Sequence, residues 1–283
     1  IERKPGKGAY LEMEHTQDRS REYTREEGVL RGVMPDAANF YKASPARVLA
    51  LFVAAAARNC AIESDTYKAA AAAIDGVKKV QAPVVRGALQ NILLSSRPQA
   101  LAPLVAQGAL TPFGILKGTP ELGILAKVPC TMETRWWCFL RLCNSHYNTV
   151  CERLGFSSVF AATLAAMDKL AEMQTLPDNE YDLKMMLSAM PEFDYGAAVR
   201  TLQLKDERWA GQAELFDRLY RSGDPYRVGD LAITTGQLAV LGIRDKKAAW
   251  VVRQLLDTVI KTPELNQYPP LEMMALTLAQ QYQ

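Results

Sequence analysis

Apolar positions along the chain recur at the three- and four-residue intervals of α-helices, and no window alternates strictly between apolar and polar positions. We therefore predict an all-α fold without a sheet, an elongated array of helix pairs joined by short connections. The predicted helices are 46–59, 65–75, 83–94, 99–107, 132–154, 156–172, 181–189, 196–204, 207–222, 237–241, 246–261 and 271–283.

Residues that start or end helices mark the breaks in this pattern. Ser44-Pro45 is typical of an N-cap followed by proline at the first helical position, and Pro103 predicts a kinked or extended first turn in its helix. The Pro and Gly residues within 111–127 indicate a loop with short helical turns, whereas 228–232 is predicted to be extended. Residues 1–27 are dense in charges of both signs, which predicts a charged lead-in.

The composition indicates a packed core and little overall charge. Hydrophobic residues make up 49% of the chain, and the formal net charge is +2, so nucleic-acid binding would depend on local patches. The five cysteines lack paired spacing, which favours reduced thiols and a cytoplasmic location. The longest apolar stretch, Val48–Ala57, is too short to span a bilayer, so we expect no membrane partner.

One group of residues has the side chains of a zinc site, namely Cys138, Cys143, His146 and Cys151. Its spacing is not a usual structural zinc pattern, and on a continuous helix Cys138 and Cys143 would point about 140° apart. We therefore favour buried thiols and predict no metal site. The neighbouring Trp136 and Trp137 are likewise assigned to the core rather than to a platform for stacking bases.

Catalytic groups are sparse. With His15 and His146 as the two histidines, a serine or cysteine triad is hard to build, and no Gly-x-Ser-x-Gly motif is present. Two-metal phosphoryl transfer needs closely spaced carboxylates, and the chain contains no Asp-x-Asp pair. We therefore assign no catalytic residue in this chain.

Four short motifs follow one another between Asp224 and Asn266. They are Asp230-Leu231-Ala232, Gly236-Gln237-Leu238-Ala239, Leu241-Gly242-Ile243 and Pro263–Asn266. In this order they resemble the tail of bacterial CCA-adding tRNA nucleotidyltransferases. Upstream segments resemble the neck and body of the same family, most clearly Gly28–Val33, Ser44–Thr66 and Val80–Ser96. The resemblance implies a neck-like region over 28–110, a body-like region over 111–200 and a tail-like region over 201–283.

This chain departs from the family at the residues that bind metal ions and the incoming nucleotide. The family's head domain carries a Gly-rich turn and an Asp-x-Asp pair that hold metal ions, and no position here corresponds to either; Arg21–Thr24 resembles only the strand that closes the head. The neck motif Glu-Asp-x-x-Arg, which in the family hydrogen-bonds the incoming CTP or ATP, reads Ala43-Ser44-Pro45-Ala46-Arg47. Arg47 is left as the nucleotide-binding candidate, because a serine hydroxyl does not replace an ionised carboxylate. No cofactor is expected in this chain; Mg²⁺ with CTP or ATP enters only if a head domain is supplied.

Three functions remain open. The eroded template motif favours a catalytically inactive relative that binds the tRNA acceptor and TΨC arms, rather than DNA. The second possibility is a truncated part of an active CCA-adding enzyme. The third is a helical scaffold without RNA, which pairs with a head-bearing protein or with itself. Phosphate contacts in the family are made by cations on helices, and the candidates here are Lys78, Lys79, Arg86, Arg244, Lys246 and Lys247.

Overall fold

The computed structural model describes residues 22–34 and 36–282. The described chain is predominantly helical, which confirms the predicted all-α class. The predicted charged lead-in falls mostly on residues 1–21, which lie outside the described residues. The chain separates into two compact units: the first runs to Pro112 and includes Leu116–Thr119, and the second comprises Phe113–Ile115 and the chain from Pro120 onward. The finer division into neck-, body- and tail-like regions stays a prediction.

The first unit contains three short strands and five α-helices among its described residues. They are β1 (Tyr23–Glu26), β2 (Val29–Gly32), α1 (Ala37–Ala43), α2 (Ala46–Ala57), β3 (Ala61–Ile62), α3 (Ser64–Ala71), α4 (Ala82–Leu93) and α5 (Ala102–Ala106). The second unit continues with α6 (Met132–Leu142), α7 (Tyr147–Leu154), α8 (Ser158–Glu172), α9 (Glu180–Ser188), α10 (Tyr195–Gln203), α11 (Ala210–Ser222), α12 (Thr235–Val240), α13 (Asp245–Lys261) and α14 (Tyr268–Gln281).

The small sheet shows that the prediction of no sheet was wrong. Strands β1 and β2 form an antiparallel hairpin around Glu27 and Gly28, and β3 pairs with β2 in parallel. Each strand has between two and four residues, so no run is long enough for a two-residue alternation to appear in the sequence. Leu30 on β2 is completely buried and anchors the sheet in the core of the first unit.

The bounds of most helices agree with the predictions to within a few residues. The region 132–154, however, is not one helix: α6 ends at Leu142, and Asn144 adopts a left-handed conformation with φ of 50°. The Ser145 N–H donates to the Leu140 carbonyl and the Asn144 N–H to the Arg141 carbonyl, which is the Schellman arrangement that ends helices. Asparagine tolerates this conformation better than most residues, so the helix stops there.

Two further predictions about local structure were wrong. Residues Val228–Asp230 form a 3₁₀ turn rather than an extended segment, because the Asp230 carboxylate accepts hydrogen bonds from the N–H groups of Tyr226 and Arg227. Ser44 does not cap α2: it ends α1, and the N-cap position of α2 is Pro45, whose side chain has no acceptor.

Other local predictions are confirmed. The helix predicted over 156–172 is α8, and Ser157 caps it by accepting a hydrogen bond from the Phe160 N–H. The helix predicted from residue 99 does not start regularly, as Pro103 indicated: the 3₁₀ turn Pro98–Leu101 comes first, and Pro103 lies in the first turn of α5. Trp136 and Trp137 are both buried, with 1% and 4% of their surface exposed.

The end of the second unit has a core of its own between α12, α13 and α14. Helix α13 contributes six buried side chains to this cluster, and Leu231, Ile233, Leu238, Ile243, Leu271 and Ala275 complete it. The six recur at helical intervals along one side of α13, which leaves the opposite side to solvent. No single helix of the described chain is long and apolar enough to cross a membrane; the bent pair α1 and α2 meets the length and composition requirement together, with 112° between its helices.

Candidate nucleic-acid interface

The turn between α12 and α13 positions the cations of the tail segment. Helix α12 begins with a capping box, in which Thr234 Oγ1 accepts from the Gln237 N–H and Gln237 Oε1 accepts from the Thr234 N–H. It ends at Gly242, whose φ of 80° is the left-handed conformation that glycine adopts at little cost. The Ile243 N–H donates to the Leu238 carbonyl, and both side chains are buried. The chain therefore leaves α12 in a fixed direction and enters α13 after the four residues 241–244.

Three predicted RNA-binding residues lie together at the start of α13. Arg244 is its N-cap and is exposed, Lys246 is exposed in the first turn, and Lys247 is half-buried beside it. Within the described chain none of the three forms an ion pair with a carboxylate. The intrahelical ladder begins with the Ala248 N–H, which donates to the Arg244 carbonyl, so the N–H groups of the preceding turn have no partner within the helix.

The same turn also carries a carboxylate. Asp245 is exposed, has a φ of 53° and sits between Arg244 and Lys246 in the sequence. Its charge already stabilises the positive end of the helix dipole and reduces the local excess of positive charge. The turn thus presents three cations and one anion, which is a surface of moderate rather than strong positive potential.

Other matched tail residues hold the turn in place rather than face a ligand. Asn266 Nδ2 donates to the Asp230 carbonyl and Asn266 Oδ1 accepts from the Ala232 N–H, both at 2.8 Å. This side chain therefore joins the start of the tail segment to the residues after α13. We call these two hydrogen bonds, which join the Asp230-Leu231-Ala232 motif to Asn266, the latch of the tail segment.

Arg47, the nucleotide-binding candidate, is engaged locally. Its guanidinium carbon lies 4.1 Å from the centroid of the Phe40 ring, and Nη1 donates to the Phe40 carbonyl at 3.1 Å. That carbonyl is one of the last four of α1 and has no partner within the helix, so Arg47 satisfies it. Ala43 and Ser44 end the same helix and supply no carboxylate. A role of Arg47 in nucleotide binding stays a prediction.

The remaining predicted RNA-binding residues lie in the first unit. Lys78 forms an ion pair with Asp75 at 2.8 Å, and this lysine lowers the pKa of the Asp75 carboxyl by hydrogen bonding and by its charge. Lys79 is exposed next to it, and Arg86 is half-buried on α4. Lys78 and Lys79 therefore lie side by side at the end of the 3₁₀ turn Ile74–Lys79, one of them already paired with an acid.

The cysteines of the zinc-like group are buried, as the sequence predicted. Burial raises the pKa of the Cys143 thiol to about 12 and that of Cys151 to about 11. Because thiolates rather than thiols bind zinc, this environment disfavours a metal site. Among residues 22–34 and 36–282, no three His, Cys, Asp or Glu side chains converge on a position that could hold a metal ion.

Sequence reasoning missed the aromatic residues near the tail cations. Trp250 and Arg253 follow Lys246 by four and seven residues, and this spacing places them on the same side of α13. Tyr282 packs against Trp250 with 5.6 Å between ring centroids, and Lys247 Nζ lies 5.9 Å from the Tyr282 centroid. The helical spacing in the sequence was a sufficient signal for Trp250 and Arg253, but not for Tyr282, which lies beyond the following helix.

No protein-family model matches this chain, and no curated protein matches it. Among solved structures, it is similar to a chain described as a tRNA-processing enzyme in an apo form, with a TM-score of 0.47 and 14% sequence identity. The similarity covers 82% of this chain and 63% of that one, so this chain spans less than two thirds of the length of the protein that it matches.

Proposed function

We propose that this chain is a tRNA-binding helical relative of the CCA-adding nucleotidyltransferases that does not itself catalyse nucleotide addition. The observation that carries the proposal is the turn that begins α13. Arg244, Lys246 and Lys247 lie in that turn, where the first backbone N–H groups have no partner within the helix, and none of the three is paired with a carboxylate within the described chain. This combination suits the phosphate oxygens of an RNA backbone.

The proposed contact is to phosphates, so it reads the shape of an RNA arm rather than its sequence. Each phosphate neutralised contributes roughly 0.7 to 0.9 to the slope of log affinity against log salt concentration. Three cations predict a slope of about −2 to −3, shallower than that of strongly basic RNA-binding proteins. Asp245 in the same turn favours the lower value.

Catalytic silence is supported by the surroundings of Arg47. A template for CTP or ATP needs hydrogen-bond acceptors fixed at the position of the base edge, and Ala43 and Ser44 supply none that is ionised. The Arg47 guanidinium already packs on the Phe40 ring and donates a hydrogen bond to the Phe40 carbonyl. We accordingly propose no use of Mg²⁺, CTP or ATP by this chain alone, and a cytoplasmic location alongside its tRNA partner.

Gel-shift titration with a tRNA transcript at two salt concentrations tests the binding. We expect Lys246→Glu/Lys247→Glu to weaken binding about tenfold or more at the lower salt and to reduce the salt slope by about 2. The matched control is Lys169→Glu/Lys205→Glu, which reverses two exposed lysines of the same unit and changes the net charge equally. Equal effects of the two double variants would contradict a specific site, and absence of any binding by the unaltered chain would leave the scaffold function as the better proposal.

An incorporation assay tests the proposed inactivity. The chain is incubated with labelled CTP or ATP, Mg²⁺ and tRNA lacking its 3′ end, and we expect no labelled tRNA. Clear addition of label by the chain alone would overturn the proposal in favour of an active enzyme.

A further inference from the structure

The outer side of α13 has an unusual composition beyond its first turn. Lys246, Trp250 and Arg253 lie along it at intervals of four and three residues, and the distance from the first to the last is about 10 Å along the helix axis. Tyr282, just after α14, packs beside Trp250 with an angle of 56° between the two rings. We call Lys246, Lys247, Trp250, Arg253 and Tyr282 the outer face of α13.

The core does not require an aromatic residue at this position. Helix α13 already buries six aliphatic side chains along its inner side, and Trp250 is only half-buried at their margin. Tyr282 is likewise half-buried and lies beyond the end of the last helix. A single exposed aromatic residue needs no special explanation, whereas two adjoining rings flanked by cations form a surface with a defined chemistry.

The charged side chains of the outer face, Lys246, Lys247 and Arg253, are all cations. Lys247 Nζ lies 5.9 Å from the centroid of the Tyr282 ring. Arg253 is exposed and forms no ion pair with any residue that the structure describes. One turn further along, Asp257 pairs with Lys261 at 2.7 Å and also accepts from the Tyr181 hydroxyl. The Asp257 charge is thereby neutralised. Of the unpaired cations, Lys247 lies over the Tyr282 ring, and Lys246 and Arg253 share the side of α13 that carries Trp250.

Building on the proposed function, we infer that the outer face of α13 binds an unpaired nucleotide of the RNA. Its base stacks on the face of one of the two rings, Trp250 and Tyr282, and contacts the edge of the other, and its phosphates lie at Lys246, Lys247 and Arg253. Aromatic rings accept any base, because every base has a π face. Cations beside the rings match the phosphates on either side of a stacked base. A duplex, by contrast, offers no free base face, so this surface favours RNA with a single-stranded end or loop.

The inference is tested by fluorescence anisotropy with two labelled RNA hairpins of the same stem, one blunt and one with an unpaired 3′ tail of six adenosines. Both hairpins have the same four-nucleotide loop, whose bases stack on one another, so the two RNAs differ only in the free base faces of the tail. We expect the unaltered chain to bind the tailed hairpin about tenfold more tightly than the blunt one. Tyr282→Ser and Trp250→Leu are each expected to remove most of that preference and to leave the affinity for the blunt hairpin within twofold. Trp250→Phe retains a stacking ring and is expected to keep most of the preference.

Tyr220→Ser is the matched aromatic control, since Tyr220 is 77% exposed on α11. It should leave both affinities unchanged. If Trp250→Leu loses its cooperative melting transition, Tyr282→Ser decides the question, because Tyr282 follows the last helix and contributes little to the core.

The outcomes separate this inference from the proposed function. If the unaltered chain binds neither hairpin, the proposed function fails together with the inference. If it binds both hairpins equally, with Lys246→Glu/Lys247→Glu weakening both, the phosphate site stands and the stacking surface is rejected. If Tyr282→Ser and Tyr220→Ser reduce the preference equally, the effect is not specific to the outer face, and the inference is again rejected.

Discussion

Arg47 and Arg244 each lie at the beginning of a helix, α2 in the first unit and α13 in the second. The guanidinium of Arg47 covers the Phe40 ring and satisfies an end carbonyl of α1. Arg244 is exposed, and no such contact is recorded for it among the described residues. The same difference separates Lys78, which is paired with Asp75, from Lys246, which is not paired with an acid.

The comparison distinguishes cations that stabilise the chain from cations that are available to a ligand. A cation with an internal partner must give up that partner to bind a phosphate, so its net gain is small. A cation without one gives up only water. This argues for the start of α13 over the start of α2 as a binding surface.

The largest expected effect is at Lys184, a buried cation of the second unit that forms an ion pair. Lys184 is 5% exposed, and its Nζ lies 2.6 Å from Asp224 Oδ2. Lys184→Met should lower the free energy of unfolding by about 2 kcal/mol, because Asp224, whose side chain is 29% exposed, loses its partner at the edge of a buried site. Urea denaturation measures the change.

The double variant Lys184→Met/Asp224→Leu is the control for that prediction. Removing both charges should recover more than half of the lost stability, since well-packed apolar side chains often replace a buried ion pair at little cost. Equal stability of the single and double variants would show that side-chain packing rather than charge explains the effect.

A smaller loss is expected at the latch that holds the tail segment. Asn266→Ala removes two hydrogen bonds to the backbone and should cost about 1 to 2 kcal/mol, because the Asp230 carbonyl and Ala232 N–H must then find water. Asn266→Asp keeps an acceptor for the Ala232 N–H but places a second carboxylate oxygen against the Asp230 carbonyl, so its melting temperature should be at least as low as that of Asn266→Ala. A melting temperature of Asn266→Ala equal to that of the unaltered chain contradicts the latch.

The next change addresses the first unit. Arg47→Ala should lower the free energy of unfolding by about 1 kcal/mol through the loss of the cation–π contact and the hydrogen bond to Phe40, and should leave tRNA affinity within twofold. Arg47→Lys can still approach the ring but lacks the planar fork, so it should recover part of the stability. A strong loss of tRNA affinity with unchanged stability would reverse the comparison between the two arginines.

Most of the fold could be predicted from the sequence, because long helices carry a period that persists over several turns. Helix α13 was predicted to within one residue of its start, since its apolar positions recur along all 17 residues. Strand β3 has two residues and pairs through backbone groups with β2, about thirty positions earlier. No local pattern encodes such a pairing, so the sheet could not be found.

The sequence locates the cations of the candidate site along the chain, but it does not predict which of them contact other residues in the fold. The sequence places cations at Arg47 and at 244–247 equally well. Whether a cation already has a partner depends on residues that the fold brings close, as with Phe40, which contacts Arg47 across the break between α1 and α2. Lys78 is the exception, because its acidic partner lies three residues earlier and could have been recognised from helical spacing.

The smallest expected effect is the most direct test of the comparison. Arg244→Ala should leave the melting temperature unchanged, because the side chain is exposed and offers no cap hydrogen bond to α13. Its tRNA affinity should fall about threefold to fivefold, as expected for one phosphate contact among several. Arg244→Lys keeps the charge and should lie close to the unaltered chain if the contact is electrostatic. Arg47→Ala is expected to change stability but not tRNA affinity, and Arg244→Ala to change tRNA affinity but not stability. Both quantities should therefore be measured on both variants. A pair of variants that change the same quantity would show that the two helix starts do not differ in the way their contacts indicate.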